Sequence, residues 1–510
     1  MSFAELLTQE QVERVHEASL EILQEVGLKV RYAPARELFA QHGAKTEADS
    51  EFIKLPRDIV EKYRKMAPPK FTFHARDPKF DKTIPDDSPV IVTASSAPDI
   101  IDPVTGKERR AESGDIARIA HLINALPGYD MFSISTLADD APRDQFTISR
   151  LYPALKYCLK PIRVTTTDHK DTLAMMEMAY IVAGGKDAYM ERPFLTHHYC
   201  PTVSPLSMDI LSTENVMYFA GEGLPVYPTI VPNAGLTSPM SMAGTLVQGN
   251  AEYLATVTLM QMVREGTPTI YATLATVADM RSGAYTSGAI ECGMLHMAFA
   301  QIARFYNVPC GGYVGLTNSK LNDAQAGYET GMSGMGGIVG GMDMFNIGGL
   351  IDALKTFDFA KAVIDDEVAQ MMKRVKRGIS FSDEDLAVDL IKQIGPGGSF
   401  IVAKHTIHRM KTEAVMTKIA DRDARTIWEK KGATDIQARA MKKVREIMTN
   451  NTELLISSEI DAKLRATFPG LVAGELLPIK NQSYRSEGSA KQSVQSSLRQ
   501  RVRLIMTGKG

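Results

Sequence analysis

Between Val90 and Gly349 the chain repeats one unit eight times: a short apolar or β-branched run, then, in most units, a longer stretch of helical periodicity. The runs are VIVTA (90–94), MFSIST (131–136), PIRVTTT (161–167), PFLTHHYC (193–200), PVYPTIV (225–231), PTIYATLAT (268–276), VPCGGYV (308–314) and MDMFNIGG (342–349). Helices are predicted between them over 113–126, 144–157, 170–183, 208–220, 241–264, 288–306 and 324–339. A strand that returns through a helix must run parallel to its neighbour. Eight such units predict an α/β fold, a closed (β/α)8 TIM barrel with its site at the C-terminal strand ends. The alternative, an open doubly wound sheet, would bring a glycine-rich phosphate turn after the first strand. Ala94-Ser-Ser-Ala-Pro98 is not one.

The flanks are helical. Residues 1–88 are expected to form an α-rich cap, opened by a capping box of Thr8 and Gln11. The barrel is assigned to 89–380, C-terminal helices packing on it to 381–475, and a weakly ordered Ser/Gln/Arg-rich tail to 476–510. With 58 basic and 60 acidic residues the charge is balanced, which gives no support to nucleic-acid binding. No apolar run reaches the roughly 18 residues of a membrane span, and MSFAELLTQEQ lacks a basic-then-apolar signal pattern. No membrane association and a cytoplasmic location are expected. The four cysteines contain no C-x-x-C pair, and the 27 methionines suit adaptable core filling.

The stretch 308–329 passes from strand to polar loop to helix, with Asp323 a good N-cap. Other polar groups at predicted strand ends are Ser135, Thr136, Thr166, Asp168, His197 to Cys200, Asn233, Thr273, Thr276 and Asn346 to Asp352. They contain no Ser–His–Asp arrangement, and suit a substrate that needs positioning more than acid–base chemistry. His198 and Cys200 could be read as zinc ligands. Adjacent strand residues face opposite sides, so only one of His197 and His198 points inward, and Cys200 shares the face of His198. His198 is equally well a structural histidine or a substrate contact.

Five stretches carry a resemblance: LTQEQVERVHEASLEILQEVGLKV (7–30), CPTVSPL (200–206), SPMSMAGTLVQGNAE (238–252), TNSKLNDAQAGYE (317–329) and FDFAKAVIDDE (357–367). Together, over about residues 5 to 470, the chain resembles the trimethylamine methyltransferase family. The resemblance implies a (β/α)8 barrel that takes a methyl group from a methylated amine. The acceptor it implies is the Co(I) corrinoid (cobalamin type) of a separate corrinoid protein, with no tightly bound cofactor of the barrel's own. Members acting on trimethylamine carry pyrrolysine three residues before the position of Asn318. Here that position is Gly315. The resemblance therefore points to the non-pyrrolysine branch, whose members demethylate quaternary amines such as glycine betaine.

On that reading Gly315 is the catalytic position, leaving room where pyrrolysine would project. A quaternary ammonium has no N–H to donate, so aromatic faces and a carboxylate should recognise it. The expected substrate-binding residues are Asp352, Phe357, Phe359, Tyr199 and His198, with Tyr313 a further aromatic. Lys320, Asn318 and Gln325 are expected to meet the substrate carboxylate or the partner. ASSAPDII (94–101) lacks a tyrosine, which leaves the particular betaine open. A docking corrinoid protein calls for a wide, polar-rimmed cleft at the barrel mouth, and a homo-oligomer is expected. Two other readings stand beside this one: a zinc-dependent corrinoid methyltransferase for an O- or S-methyl donor, and a catalytically silent betaine-binding protein.

Overall fold

All eight strand-like runs pair with one another in the computed structural model, which describes residues 3–47 and 50–479. The strands are β1 Val90–Val92, β2 Phe132–Ser133, β3 Ile162–Val164, β4 Leu195–Tyr199, β5 Val226–Ile230, β6 Tyr271–Thr273, β7 Cys310–Gly312 and β8 Met344–Asn346. Each lies parallel to the next, from β2 round to β8 and back to β1. A parallel bridge from Val92 to Met131 joins β1 to β2, and the Ile91 carbonyl accepts from the Asp130 and Met131 N–H groups at 2.7 and 3.1 Å. The sheet is thereby a closed barrel.

Around it run α1 Ser113–Ala125, α2 Phe146–Tyr157, α3 His169–Ala183, α4 Leu211–Glu222, α5 Met242–Val263, α6 Ile290–Phe305, α7 Ala324–Val339 and α8 Phe359–Arg377. The N-cap of α7 is Asp323, whose carboxylate accepts from the Ala326 N–H at 3.1 Å. α5 is buried along almost its whole length, because the N-terminal cap covers the side turned away from the barrel.

The cap helix Gln9–Glu25 starts with the capping box of Thr8 and Gln11. Polar side chains tie it down. The Ser19 hydroxyl donates to the Val247 carbonyl at 2.9 Å. Asn250 Nδ2 donates to Ser19 at 2.9 Å and to the Tyr306 hydroxyl at 2.8 Å, which leaves that hydroxyl to donate to His16 Nδ1 at 2.9 Å. At the other end of the chain, Ile436–Met448 buries Ala440, Met441, Val444, Ile447 and Met448 and packs on α8 and α1. Helices Asp383–Leu386, Val388–Ile394 and Lys404–Glu413, by contrast, bury no residue. Met1–Pro478 forms one compact unit. The tail expected from 476 lies, from residue 480 on, outside the described residues. Among those described, no helix is long and apolar enough to cross a membrane.

The N-terminal end of the barrel is plugged. The hairpin Phe71–Phe73/Lys82–Ile84 inserts Phe73 and Ile84 into a cluster with Val90, Val92, Met131, Ile270, Ala272 and Met344. Val90, Met131, Ile270 and Met344 lie at or before the starts of their strands, so the cluster is the barrel floor. Burying a phenylalanine against six or more apolar partners makes it costly to truncate. Phe73→Ala is expected to lose about 3 kcal/mol, read as a lowered urea midpoint without change in the folded circular-dichroism spectrum.

Candidate functional site

Directly above the apolar floor the barrel interior turns polar, and one side chain sits at its centre. Arg163, from the middle of β3, is 1% exposed. Its Nε donates to the Ser133 hydroxyl on β2 at 3.1 Å, and one terminal nitrogen donates to Asn346 Oδ1 on β8. The other reaches the Tyr313 hydroxyl at 3.1 Å, Ser95 Oγ at 3.4 Å and the Thr93 carbonyl at 3.5 Å. The guanidinium also lies over the rings of Tyr227 and Tyr313, 5.3 and 5.4 Å from their centroids. Asn346 Nδ2 in turn donates to the Tyr227 hydroxyl at 2.9 Å and the Gly312 carbonyl at 3.0 Å.

The strand alternation expected at 197–200 holds. His197 faces the helix layer and stacks on Phe219 with ring centroids 3.5 Å apart. His198 faces the interior, beside Tyr227 and Tyr313, with Nε2 2.9 Å from the Thr229 hydroxyl. Burial, with the Arg163 charge adding to it, pushes the His198 pKa well below the ordinary imidazole value. Burial raises the Cys200 thiol to about 11. Both are neutral at pH 7. Among the described residues no cluster of three His, Cys, Asp or Glu is placed to hold a metal ion.

Arg150 of α2 reaches the same region from the side. Its Nε donates to the Thr136 carbonyl at 3.1 Å, and Nη2 donates to Ser96 Oγ at 3.2 Å. Between the two arginines lies a cavity of about 10 Å³, lined by Ser95, Ser96, Ser133, Arg150, Arg163 and His198 among others. That is room for one water.

Gly315 stands just past β7 with φ +86°, a conformation that favours glycine. Both of its backbone groups are held by α7: its N–H donates to Ser333 Oγ at 3.0 Å, and its carbonyl accepts from Thr330 Oγ1 at 2.9 Å. Thr330 is backed by the fully buried pair Lys361–Asp365. The expected open space is absent, since a Cβ at Gly315 would lie 2.9 Å from Ile347 Cδ1. The side chain of Ile347 fills the position.

Of the eight residues assigned to the site, only His198 lines this cavity. Tyr199 turns to the helix layer, hydrogen-bonded to Thr166 at 2.7 Å and stacked on Phe219, as a residue one step from an inward histidine must. Asn318 ties its loop to the connection after β6, and Gln325 bonds along its own helix. Asn318 accepts from Gly288 N–H and donates to the Tyr285 carbonyl, both at 2.8 Å, and Gln325 donates to Glu329 at 2.9 Å. Asp352 is not an unpaired interior carboxylate. It sits on a left-handed turn, Asp352–Leu354, and faces the exposed Lys320 at 3.4 Å. Phe357 and Phe359 pack edge-on at 5.2 Å in the apolar core, with Phe357 against Gly349.

Two small sheets follow the C-terminal ends of the barrel strands at the mouth, where Ser95, Ser96, His198 and Cys200 keep partial exposure. One pairs Asn233–Ala234, Thr276–Asp279 and Ala284–Thr286; the other pairs Asp99–Ile101, Glu108–Arg110, Leu350–Ile351 and Thr356–Phe357. The hairpin turn is fastened to the 317–319 loop by Asp352 N–H to Ser319 O at 2.7 Å and Ala353 N–H to Thr317 O at 2.9 Å. A roomy cavity of about 1040 Å³ lies beside Asp86, Asn307, Arg304 and Asp343, before β1, β7 and β8 and so at the opposite end.

Residues missed by sequence reasoning are Arg163, Arg150, Ser133, Tyr227 and the central role of Asn346. One signal was visible: a lone arginine inside the β-branched run PIRVTTT.

Comparison with known proteins places these features in context. The family described as Trimethylamine methyltransferase (MTTB) matches residues 1–468. The glycine betaine methyltransferase of Desulfitobacterium hafniense (strain Y51) is 34% identical over 464 residues, covering 90% of this chain and 96% of that protein. A trimethylamine methyltransferase, MttB, of Desulfitobacterium hafniense (strain DSM 10664 / DCB-2) is 31% identical over 457 residues, covering 90% and 92%. The monomethylamine methyltransferase of Methanosarcina barkeri shares the fold, with a TM-score of 0.51 at 12% identity over 86% of this chain and 88% of that one.

Two outcomes follow from the geometry. Gly315→Ala is expected to cost about 1–2 kcal/mol for the left-handed backbone alone. Ile347→Val removes the clashing methyl, so the double variant should cost less than the sum of the singles in a denaturation cycle. The second concerns acid. Burial lowers the His197 pKa to about 3, and neither ring nitrogen has a partner. The unfolded chain takes up that proton near 6.5 and the folded chain does not. This contribution to stability is therefore complete above 6.5 and is lost as pH falls from there towards 3. His197→Phe should flatten the stability–pH slope across that window by up to about 1.4 kcal/mol per pH unit.

Proposed function

Because the chain belongs to the trimethylamine methyltransferase family, we propose that it moves a methyl group from a quaternary amine to the Co(I) corrinoid of a separate protein. One observation carries the reading: the position after β7 is a glycine, locked by Thr330 and Ser333, with no side chain of its own to attack or protonate. His198 and Cys200 are held neutral, and Arg163 is a fixed cation. Such a site orients a donor and leaves bond-breaking to the acceptor.

A quaternary amine needs no activation. As the Co(I) electron pair forms the Co–C bond, the C–N bond breaks, and its pair leaves on nitrogen as a neutral tertiary amine. A neutral tertiary amine as donor would have to be activated first, and Gly315 offers no group to do it. The similarity to a glycine betaine methyltransferase supports a betaine as the donor.

Ile347 must give way for donor and acceptor to meet at Gly315. The hairpin turn at Asp352–Leu354, held to the loop by two backbone hydrogen bonds and the solvent-screened Lys320–Asp352 pair, is the piece that lifts most easily. Ile379, Phe381, Ile401 and Val402 are at least 75% exposed on a segment that buries almost nothing, which supports a homo-oligomer. The four free cysteines suit a reducing cytoplasm.

Methyl transfer to free Co(I) cobalamin, followed by ultraviolet–visible spectroscopy, tests the proposal. Methylcobalamin should form from at least one betaine and not from trimethylamine. Turnover of trimethylamine alone, or betaine binding with no methylation, would overturn it.

A further inference from the structure

Two arginines in this barrel have no carboxylate to face. Arg163 is 1% and Arg150 5% exposed, and their hydrogen bonds go to hydroxyls, carbonyls and one amide. Two other buried cations here face a carboxylate, Lys361 on Asp365 and Arg118 on Asp115, while Lys156 and Lys160 stand apart from each other and are met by backbone carbonyls, Lys160 by those of Ile123, Leu126 and Tyr129, each at 2.7 Å. An arginine stays charged when buried, and a buried charge without a counter-charge is costly. Two such charges lining one small cavity also repel each other. The missing element is an anion.

The surroundings fit a carboxylate. Ser95, Ser96 and Ser133 line the same cavity with hydroxyls, and no acidic group does. Two guanidiniums offer planar forks suited to a two-oxygen anion. Arg163 reaches across the barrel to Tyr313, two residues before Gly315, so an anion held here lies at the same C-terminal end of the barrel as Gly315, facing it across the interior.

We infer that Arg163 and Arg150 form the carboxylate-binding end of the donor site, which makes the donor a zwitterion with its carboxylate between the arginines and its quaternary nitrogen towards Gly315. This rests on the quaternary-amine reading and adds to it the basis of selectivity: a quaternary amine lacking a carboxylate is rejected. The carboxylate role expected for Lys320 and Asn318 passes to these arginines. At about 10 Å³ the cavity admits one oxygen-sized group, so the donor seats only as the cavity widens.

A purely structural role, with Arg163 as a strut across the barrel, would not distinguish ligands. Calorimetry on the full chain with trimethylglycine, carnitine, choline and acetate therefore decides. At least one zwitterion should bind ten-fold or more tightly than choline, and acetate should compete with it. Arg150→Met and Arg163→Lys, each checked for native circular dichroism, should weaken zwitterion binding ten-fold or more and leave choline unaltered. Arg150 lies at the edge of the network, so its variant keeps the test open should Arg163→Lys fail to fold. Equal binding of choline, no zwitterion binding, or an unchanged preference in a folded variant would each overturn the inference. The two proposals separate cleanly. Methylation of Co(I) from choline as fast as from a betaine leaves methyl transfer standing and removes the arginine clamp. An arginine-dependent carboxylate preference with no methylcobalamin does the reverse.

Discussion

The buried guanidinium of Arg163 is the contact on which the upper half of the barrel depends. It joins β3 to β2 through Ser133, to β8 through Asn346 and to the end of β7 through Tyr313, and lies over Tyr227 of β5. Hydrogen bonds to a charged group contribute roughly 1.5–3 kcal/mol each, and the desolvation of an unpaired ion costs several kcal/mol. The two are of similar size, so the arrangement holds together without being a strong source of stability. That balance leaves the centre of the barrel receptive to a negative group.

Below this layer the interior is ordinary hydrocarbon, closed by the hairpin that inserts Phe73 and Ile84. Above it, at the mouth, stand two small sheets built from the connections after β1, β5, β6 and β8. The polar layer thus lies between an apolar plug and the mouth, where Ser95, Ser96 and His198 keep partial exposure to solvent. The plug is packed core, whereas the mouth is fastened partly by backbone hydrogen bonds and an exposed ion pair.

The loop after β7 shows how family pattern and local geometry divide the work. Thr317, Gln325 and Glu329 are knit into one hydrogen-bonded turn, with the Asn318 N–H on Glu329 and the Asn318 side chain tying the turn to Tyr285 and Gly288. Their side chains maintain the shape of the loop. Polar residues in such a stretch read from sequence as ligands for a substrate. In the fold most of their capacity is already spent on one another and on the neighbouring connection.

The period of the pattern decided the architecture before any contact was known. Eight alternations of strand and helix, the caps at Thr8 and Asp323, and the opposed faces of His197 and His198 follow from local rules of spacing and hydrogen bonding, which a linear chain displays directly. The family was likewise legible, through motifs such as 317–329 and 357–367. The partners of each side chain were not. Whether Asp352 stood alone or met Lys320, whether Ile347 filled the space at Gly315, and whether two arginines separated by α2 and β3 shared a cavity depend on which ends closure brings together. Those are distances across the barrel, and only the tertiary structure sets them.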